Sequence, residues 1–317
     1  MSSSNNLFAG LVGQENVKKK LGFYAKAFEA TETCPFLFFV GAAGLGKTQF
    51  SKAFARSIKG PEGKLRNFIE INCSTIKNNE AFFTTVVPAI LQNPSVCLFD
   101  EVHCLPKDVV NSMLSILNVN AGTWSSFTWD GQDFHFNFKR HVFLFATTES
   151  DQLFAPFRDR LTPVDFQTYS SDDLGQILKI YCPGIKFSDS ALEKLASTTR
   201  GNARNAVMRA KEVGLYCKAE RKKRFTDKDF NSYCSVLGIL PLGITCSEHQ
   251  LLSILKENGA SSLSFLSAKT GLSTSAIRAD HERYLLRRNL IQIDGKRKLT
   301  PQGRSVINQV ETENLTH

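Results

Sequence analysis

Gly41-Ala42-Ala43-Gly44-Leu45-Gly46-Lys47-Thr48 is the stretch on which the reading of this chain turns. It fits G-x-x-x-x-G-K-[ST], a turn whose backbone N–H groups face a chain of phosphates. Such a turn needs an apolar strand leading in, glycines that keep side chains out of the way, and a helix whose positive end closes the site. Phe36 to Val40 is the strand, the glycines open the turn, and Gln49 to Ile58 continues at helical spacing. Gly41, Gly44, Leu45, Gly46, Lys47, Thr48 and Gln49 are therefore the expected nucleotide-binding residues. Lys47 is placed to reach the β- and γ-phosphates, and the Thr48 hydroxyl to ligate Mg²⁺.

Outward from this turn, Phe68 to Asn72 reads as a second strand and Ser95 to Glu101 as a third. The third is apolar until it ends in Asp100-Glu101, the pattern of a buried parallel strand whose carboxyl end meets a ligand. Asp100 is expected to hold the magnesium, and Glu101 to take a proton from the attacking water. Together with the phosphate turn they form a nucleotide-hydrolysing pair of motifs. His103 reads first as lining this site and second as acting in it. His141 to Ala146 is a fourth strand ending in Thr147-Thr148, hydroxyls that could hold the water or sense the γ-phosphate. Pro156 to Leu161 carries Arg158 and Arg160, one of which can neutralise charge on a transferring phosphoryl group.

At 317 residues, with 42% hydrophobic content, the chain has room for two or three domains. A net charge of +9 points to an anionic partner, nucleic acid before an acidic protein or a membrane surface. The eight cysteines show no metal-type spacing and read as reduced thiols of a cytosolic protein. Met1 to Asn6 lacks a signal-type apolar run and no stretch is long enough to span a membrane, so a soluble, cytoplasmic protein is expected.

Val12-Gly13-Gln14 precedes an amphipathic helix from Glu15 to Phe28. Residues 118–138 form two alternating stretches around Asp130-Gly131, a hairpin signal, with Phe134, Phe136 and Phe138 on one face. That face either packs on its own domain or is exposed for docking. From Ser171 to about Leu240 the chain is mainly helical, with Arg204 near a helix start and a basic run, Lys218 to Arg224, that reads as a solvated helix end. From about Thr245, three helices (250–256, 261–271 and 273–289) are followed by two short strands around Asp294-Gly295-Lys296-Arg297, the order of a winged helix. Residues 246–310 hold ten Lys or Arg against five Asp or Glu, which favours DNA over protein as the partner of this unit.

The whole pattern resembles RuvB, the AAA+ motor family of bacterial Holliday-junction branch migration, from Val12 to Arg304. The resemblance rests on Gly44-Leu45-Gly46-Lys47-Thr48, Asp100-Glu101-Val102-His103, Ala146-Thr147-Thr148, Phe157-Arg158-Asp159-Arg160, Gly201-Asn202-Ala203-Arg204 and Leu299-Thr300-Pro301-Gln302-Gly303-Arg304. It implies an α/β architecture in three parts: an AAA+ P-loop domain with a parallel sheet over 1–168, an α-helical lid over 169–243 and a winged-helix DNA-binding domain over 244–317. It also implies ATP and Mg²⁺ as cofactors, Thr147 and Thr148 at sensor 1, Arg204 at sensor 2, and Tyr169 against the nucleotide. Arg160 matches a finger acting on a neighbouring subunit in a ring, a hexamer by the family's habit. Lys296, Arg297, Lys298 and Arg304 are the expected DNA contacts, and the 118–138 hairpin the dock for a RuvA-like partner. The implied activity is an ATP-driven motor on branched duplex DNA. A clamp-loader or replication-initiator ATPase is the alternative; the winged helix speaks against the first and is shared with the second. The chain departs from the family at Ala42-Ala43, at Glu149 where the family has arginine, at Ser2 to Gly10 and at Asn118 to Asn120. Those differences mark a divergent relative.

Overall fold

β1 (Leu37–Val40) carries the phosphate turn at its carboxyl end, and its first three residues are buried. The computed structural model describes residues 7–60, 63–118 and 123–315; Met1 to Asn6 and positions 119–122 of the expected hairpin segment lie outside them. Ahead of β1 runs α1 (Glu15–Thr31), whose buried Val17, Leu21, Ala25 and Phe28 recur at three- and four-residue spacing. After the turn comes α2 (Lys47–Ser57), then β2 (Asn67–Asn72), β3 (Ser95–Asp100) and α3 (Lys107–Ile116). β4 (Trp124–Trp129) and β5 (Gln132–Asn137) form a separate hairpin, followed by β6 (His141–Thr147) and β7 (Thr162–Asp165).

Five of these strands make one parallel sheet in the order β2-β3-β6-β1-β7. β6 is buried along its whole length, and β3 along all but its last residue, as the runs of apolar residues require of central parallel strands. β6 lies between β1 and β3, with Val40 level with Thr147. The order therefore sets Thr147 between the phosphate turn and the Asp100-Glu101 pair. β7 was not expected from the sequence, because Thr162-Pro163-Val164-Asp165 is short and contains proline, which a sheet tolerates at an edge.

A continuous helical stretch over 79–91, broken by a π-type turn at Phe82–Val86, packs beside the hairpin. Its Phe83 stacks on Phe127 at 5.0 Å between centroids and on Trp129 at 5.3 Å, with Phe134 at 5.2 Å. Phe136 and Phe138 are buried, Phe138 edge-on to Phe36 and Phe143. Thus the Phe134, Phe136 and Phe138 face packs on its own domain, the first of the two readings that the sequence left open. Burying several rings at once outweighs exposing them. The turn itself forms as read: Asp130 and Gly131 have φ of 48° and 72°, the left-handed pair of a two-residue hairpin.

At the opposite end of the sheet, His141 is buried, with Nδ1 3.0 Å from Ser95 Oγ. Burial, helped by Arg140 and Arg66, lowers its pKa to about 4, so the folded chain holds it neutral. The unfolded chain takes up that proton near pH 6.5. The stabilisation is therefore complete above pH 6.5 and is lost as pH falls toward 4, by about 3 kcal/mol. We expect urea midpoints of the wild type to fall over that interval and those of His141→Gln to fall less; equal slopes would dismiss the histidine as the cause.

Two compact units divide the chain. The first runs to Asp173 and takes in Asn202–Arg204; the second comprises Leu174–Gly201 and the residues from Asn205 on. In the second, α4 (Ser171–Tyr181, from Leu174), α5 (Asp189–Ser197), α6 (Ala203–Ala219, from Asn205) and α7 (Asp227–Leu237) form the helical part, with β8 (Lys186–Phe187) and β9 (Arg224–Phe225) as a small parallel pair. α8 (Cys246–Asn258), α9 (Leu263–Thr270) and a third helical stretch over 274–287 follow. β10 (Ile291–Asp294) and β11 (Lys296–Leu299) then make the wing, and α10 (Pro301–Leu315) closes the domain. Leu251, Leu252, Leu255, Ile277, Leu285 and Ile307 are among its core residues. Among the described residues no helix is long and apolar enough to cross a membrane.

Candidate active site

The glycines of the phosphate turn are there for identifiable reasons. At Gly41, with φ of 155°, a Cβ would come within 2.8 Å of the Phe166 side chain. At Gly44, with φ of 76°, it would collide with Asn202 at 2.3 Å. Asn202 occupies that space to donate from Nδ2 to Ala43 O at 2.7 Å, and Arg204 N donates to Gly44 O at 3.2 Å. Lys47 is buried, and its Nζ donates to Gly41 O at 2.7 Å and Ala42 O at 3.1 Å. Burial lowers its pKa, opposed by the charges of Glu101 and Asp100. Leu45 is buried, whereas Gln49, in the first turn of α2, is exposed.

β3 delivers its two carboxylates in different directions. Glu101 has a left-handed backbone, φ 53°, which turns the chain sharply out of the strand. Asp100 Oδ2 accepts from Thr48 Oγ1 at 3.5 Å, and its Oδ1 accepts from Glu101 N at 3.1 Å. Burial first, and the Glu101 charge second, hold the Asp100 carboxyl above its ordinary range. Glu101 Oε2 accepts from both Thr148 N at 3.2 Å and Thr148 Oγ1 at 2.9 Å.

The structure gives the adjacent threonines separate tasks. Thr147 is wholly buried, with Oγ1 accepting from Glu149 N at 3.0 Å and meeting His103 Nδ1 at 2.8 Å. Thr148 grips Glu101. His103 Nδ1 also lies 3.4 Å from Glu101 Oε2, and its Nε2 lies 3.9 Å from Glu149 Oε1. Where the resemblance expects an arginine, this chain thus offers a carboxylate to the imidazole.

Tyr169 is buried beneath the turn and donates to Leu45 O at 3.0 Å, its hydroxyl pushed up to about pKa 12 by burial. Gln14 binds the backbone of Gln167 twice, through Nε2 to O at 2.6 Å and Oε1 from N at 3.1 Å. Gly13 lies so close to Tyr169 and Asp173 that a Cβ would be 3.0 Å from each. The Val12-Gly13-Gln14 segment therefore fixes the strip that carries Tyr169. Sequence reasoning gave no task to Asn202 or Gln14. The amide beside Gly201, and the left-handed Gln14 at φ 57°, are signals only once the fold is known. Arg204 is exposed at the start of α6, and Arg160 is exposed with Nη1 donating to Pro156 O at 2.7 Å.

In the wing, Lys296 is exposed, Lys298 half-buried and Arg304 exposed. Arg297 is different. It faces Ile293 in the β-ladder and is buried, with Nε 2.6 Å from Glu282 Oε1 and Nη2 3.2 Å from Oε2. The sequence puts Arg297 in the turn and starts the strand at Lys298, but β11 begins at Lys296 and strict alternation aims Arg297 inward. Its placement among the exposed DNA contacts is corrected: it is a buried strut. Gly303 is required at its position because a Cβ would meet Leu290 O at 2.1 Å.

Residues 37–168 match the family described as ATPase family associated with various cellular activities (AAA). Residues 241–308 match the RuvB C-terminal winged helix domain. The chain joins an AAA domain to a RuvB-type C-terminal winged helix domain. Among curated relatives, this RuvB-like chain is 27% identical over 303 residues to the Holliday junction branch migration complex subunit RuvB of Pseudothermotoga lettingae, covering 92% of this chain and 84% of that protein. It is 26% identical over 322 residues to the same subunit of Lactobacillus gasseri, covering 96% and 88%. The solved Thermotoga maritima RuvB Holliday junction branch migration motor has the same fold, with a TM-score of 0.75 at 22% identity over 94% of this chain and 95% of that one. An AAA ATPase binds nucleotide, and the phosphate turn, Asp100-Glu101 and Thr147-Thr148 lie within the residues that match that family.

Proposed function

We propose that the chain is an ATP-driven motor that translocates duplex at branched DNA and so drives branch migration of Holliday junctions. The observation that carries it is the pairing, in one chain, of a P-loop faced by Asp100 and a Thr148-held Glu101 with a RuvB-type winged helix bearing exposed basic residues. The working division is an ATPase domain over 1–168, a helical lid over 169–243 and a winged helix over 244–317.

In this reading the backbone of Gly41 to Gly46 cradles the phosphates, Lys47 shifts from the turn carbonyls to the β- and γ-oxygens, and Gln49 lies at the α2 end of the site. Tyr169 and the strip pinned by Gln14 flank the nucleotide. Two carboxylates at one strand end, one of them pushed up by burial and by the other's charge, form a donor set that a divalent cation fits. Thr48 and Asp100 would hold Mg²⁺, which neutralises phosphate charge when bound. Glu101 takes a proton from the attacking water while Thr148 fixes its carboxylate. Arg204 reaches the phosphates from the helical side. Arg160 acts on the nucleotide of a neighbouring copy in a ring, a hexamer of the family type. A RuvA-like junction-binding partner docks on the outer face of the 118–138 hairpin, where Trp124 is exposed, rather than on its buried phenylalanines.

The deciding experiment is ATP-dependent dissociation of a synthetic four-way junction, with and without a junction-binding partner. Vigorous hydrolysis with no junction movement in either case would sink the motor reading in favour of a DNA-loading switch. DNA binding is tested separately. Replacing Lys296, Lys298 and Arg304 by Glu should weaken duplex binding and reduce the slope of log affinity against log salt by up to about 3, near 0.9 for each phosphate no longer neutralised. An unchanged slope would move the DNA surface elsewhere.

A further inference from the structure

Glu248 is fully buried, which an ionised carboxylate tolerates only with a cation and hydrogen bonds around it. It has both. Its backbone N and its carboxylate close a capping box with Thr245 at the start of α8, Oε2 accepting from Thr245 N at 2.8 Å. Its cation is Arg200, whose Nη1 and Nη2 reach Oε2 and Oε1 at 3.0 Å and 2.8 Å, a two-pronged pair. The same guanidinium lies 3.6 Å from the centroid of the Tyr284 ring, and the Tyr284 hydroxyl donates to Leu242 O at 2.5 Å. His281 Nδ1 lies 3.8 Å from Glu248 Oε1. One side chain from the turn between α5 and α6 of the helical lid is thus clamped between the first and third helices of the winged helix. Close by, Gly243 presses so tightly on Thr198 that a Cβ would overlap Thr198 O at 2.1 Å.

Arg200 also stands at a telling place in the chain. It has a left-handed backbone, φ 61°, followed by Gly201 at 74°. Immediately after it come Asn202, hydrogen-bonded to Ala43 O of the phosphate turn, and Arg204, bonded through its N–H to Gly44 O. The contacts of Asn202–Arg204 lie with the nucleotide-binding unit and those of Arg200 with the winged helix. Few covalent bonds separate a group that reads the phosphate turn from one that holds the DNA-binding helices.

We propose that Arg200 is a positioning residue that fastens the lid to the winged helix, so that any movement of the 201–204 turn set by the nucleotide is delivered to the DNA-binding helices through the Arg200–Glu248–Tyr284 clamp. This rests on the nucleotide- and DNA-binding reading given above. An ordinary packing ion pair would affect stability alone. A transmission element affects how nucleotide alters DNA affinity.

The test uses the full chain and measures duplex affinity with a non-hydrolysable ATP analogue and with ADP. For the wild type the two affinities should differ by about 5- to 150-fold, the usual range of coupling between sites. In Arg200→Gln that ratio should fall to near one, while basal ATP hydrolysis stays within a few-fold; Arg200→Lys, which keeps the charge but loses the fork, should lie between. Because Arg200→Gln strands a buried carboxylate, Arg200→Gln/Glu248→Gln, a neutral pair of similar shape, is measured beside it and should also lose the ratio. A wild-type ratio retained in the folded double variant overturns the proposal, and so does a wild type that binds both ligands with no dependence of one on the other. Failure of the wild type to bind nucleotide or duplex would instead sink the functional reading on which the proposal stands.

Discussion

Glu101→Gln should reduce ATP turnover by about 10²- to 10⁴-fold, the usual worth of a positioned general base, while leaving nucleotide affinity within a few-fold. In barrier terms that is about 3–5 kcal/mol. The geometry makes the comparison clean. A glutamine can still accept the two hydrogen bonds from Thr148, at 3.2 and 2.9 Å in the native chain, so the side chain keeps its place and loses only its basicity. Steady-state hydrolysis and equilibrium binding of a fluorescent nucleotide check the two halves. Retention of a tenth or more of the turnover would remove Glu101 from the role of base.

The second large effect is expected at Arg160. Its alanine variant should lose about 10³- to 10⁵-fold in turnover, the range for an arginine that neutralises a transferring phosphoryl group. Its position predicts more than a loss. It is exposed, with Nη1 engaged by Pro156 O of its own short helix, as suits a group offered to another molecule. Mixing Arg160→Ala with Lys47→Ala subunits should therefore restore hydrolysis, because some interfaces pair an intact phosphate turn with an intact arginine. In evenly mixed head-to-tail rings this is about a quarter of the interfaces. No recovery in rings shown to be mixed would place the arginine's action within its own subunit or nowhere.

The features legible in the sequence were those enforced by local chemistry. Glycines at 41, 44 and 46, the apolar run into Asp100-Glu101, and the Asp130-Gly131 turn each announce themselves within a few residues, and each lies where it was expected. Lys47, Thr48, Asp100, Glu101, Thr147 and Thr148 are brought to one end of one sheet. What could not be read was whatever depends on partners distant in the chain. Nothing local distinguishes Arg297 from Lys296 and Lys298; only the register of β11 and the buried Glu282 make it a strut. Among the hairpin phenylalanines, Phe127 and Phe134 are covered by Phe83, more than forty residues earlier and in a helix whose π-type turn has no sequence signature, and Phe138 by Phe36 and Phe143. Asn202 and Arg200 were invisible for the same reason, since a polar residue's task is set by what faces it.

The place of β1 in the sheet has a consequence for how the chain is born. Both neighbours of β1 come much later in synthesis: Leu37 pairs with Leu144 on one side and with Thr162 on the other. At about 5–20 residues per second, the ribosome delivers the first of those partners roughly 5–20 seconds after β1 itself. For that interval Leu37-Phe38-Phe39-Val40 is an apolar segment with no ladder to join, a natural client for a chaperone that binds short hydrophobic stretches. The strand that carries the phosphate turn is among the earliest parts of the sheet to be made and among the last to find its place.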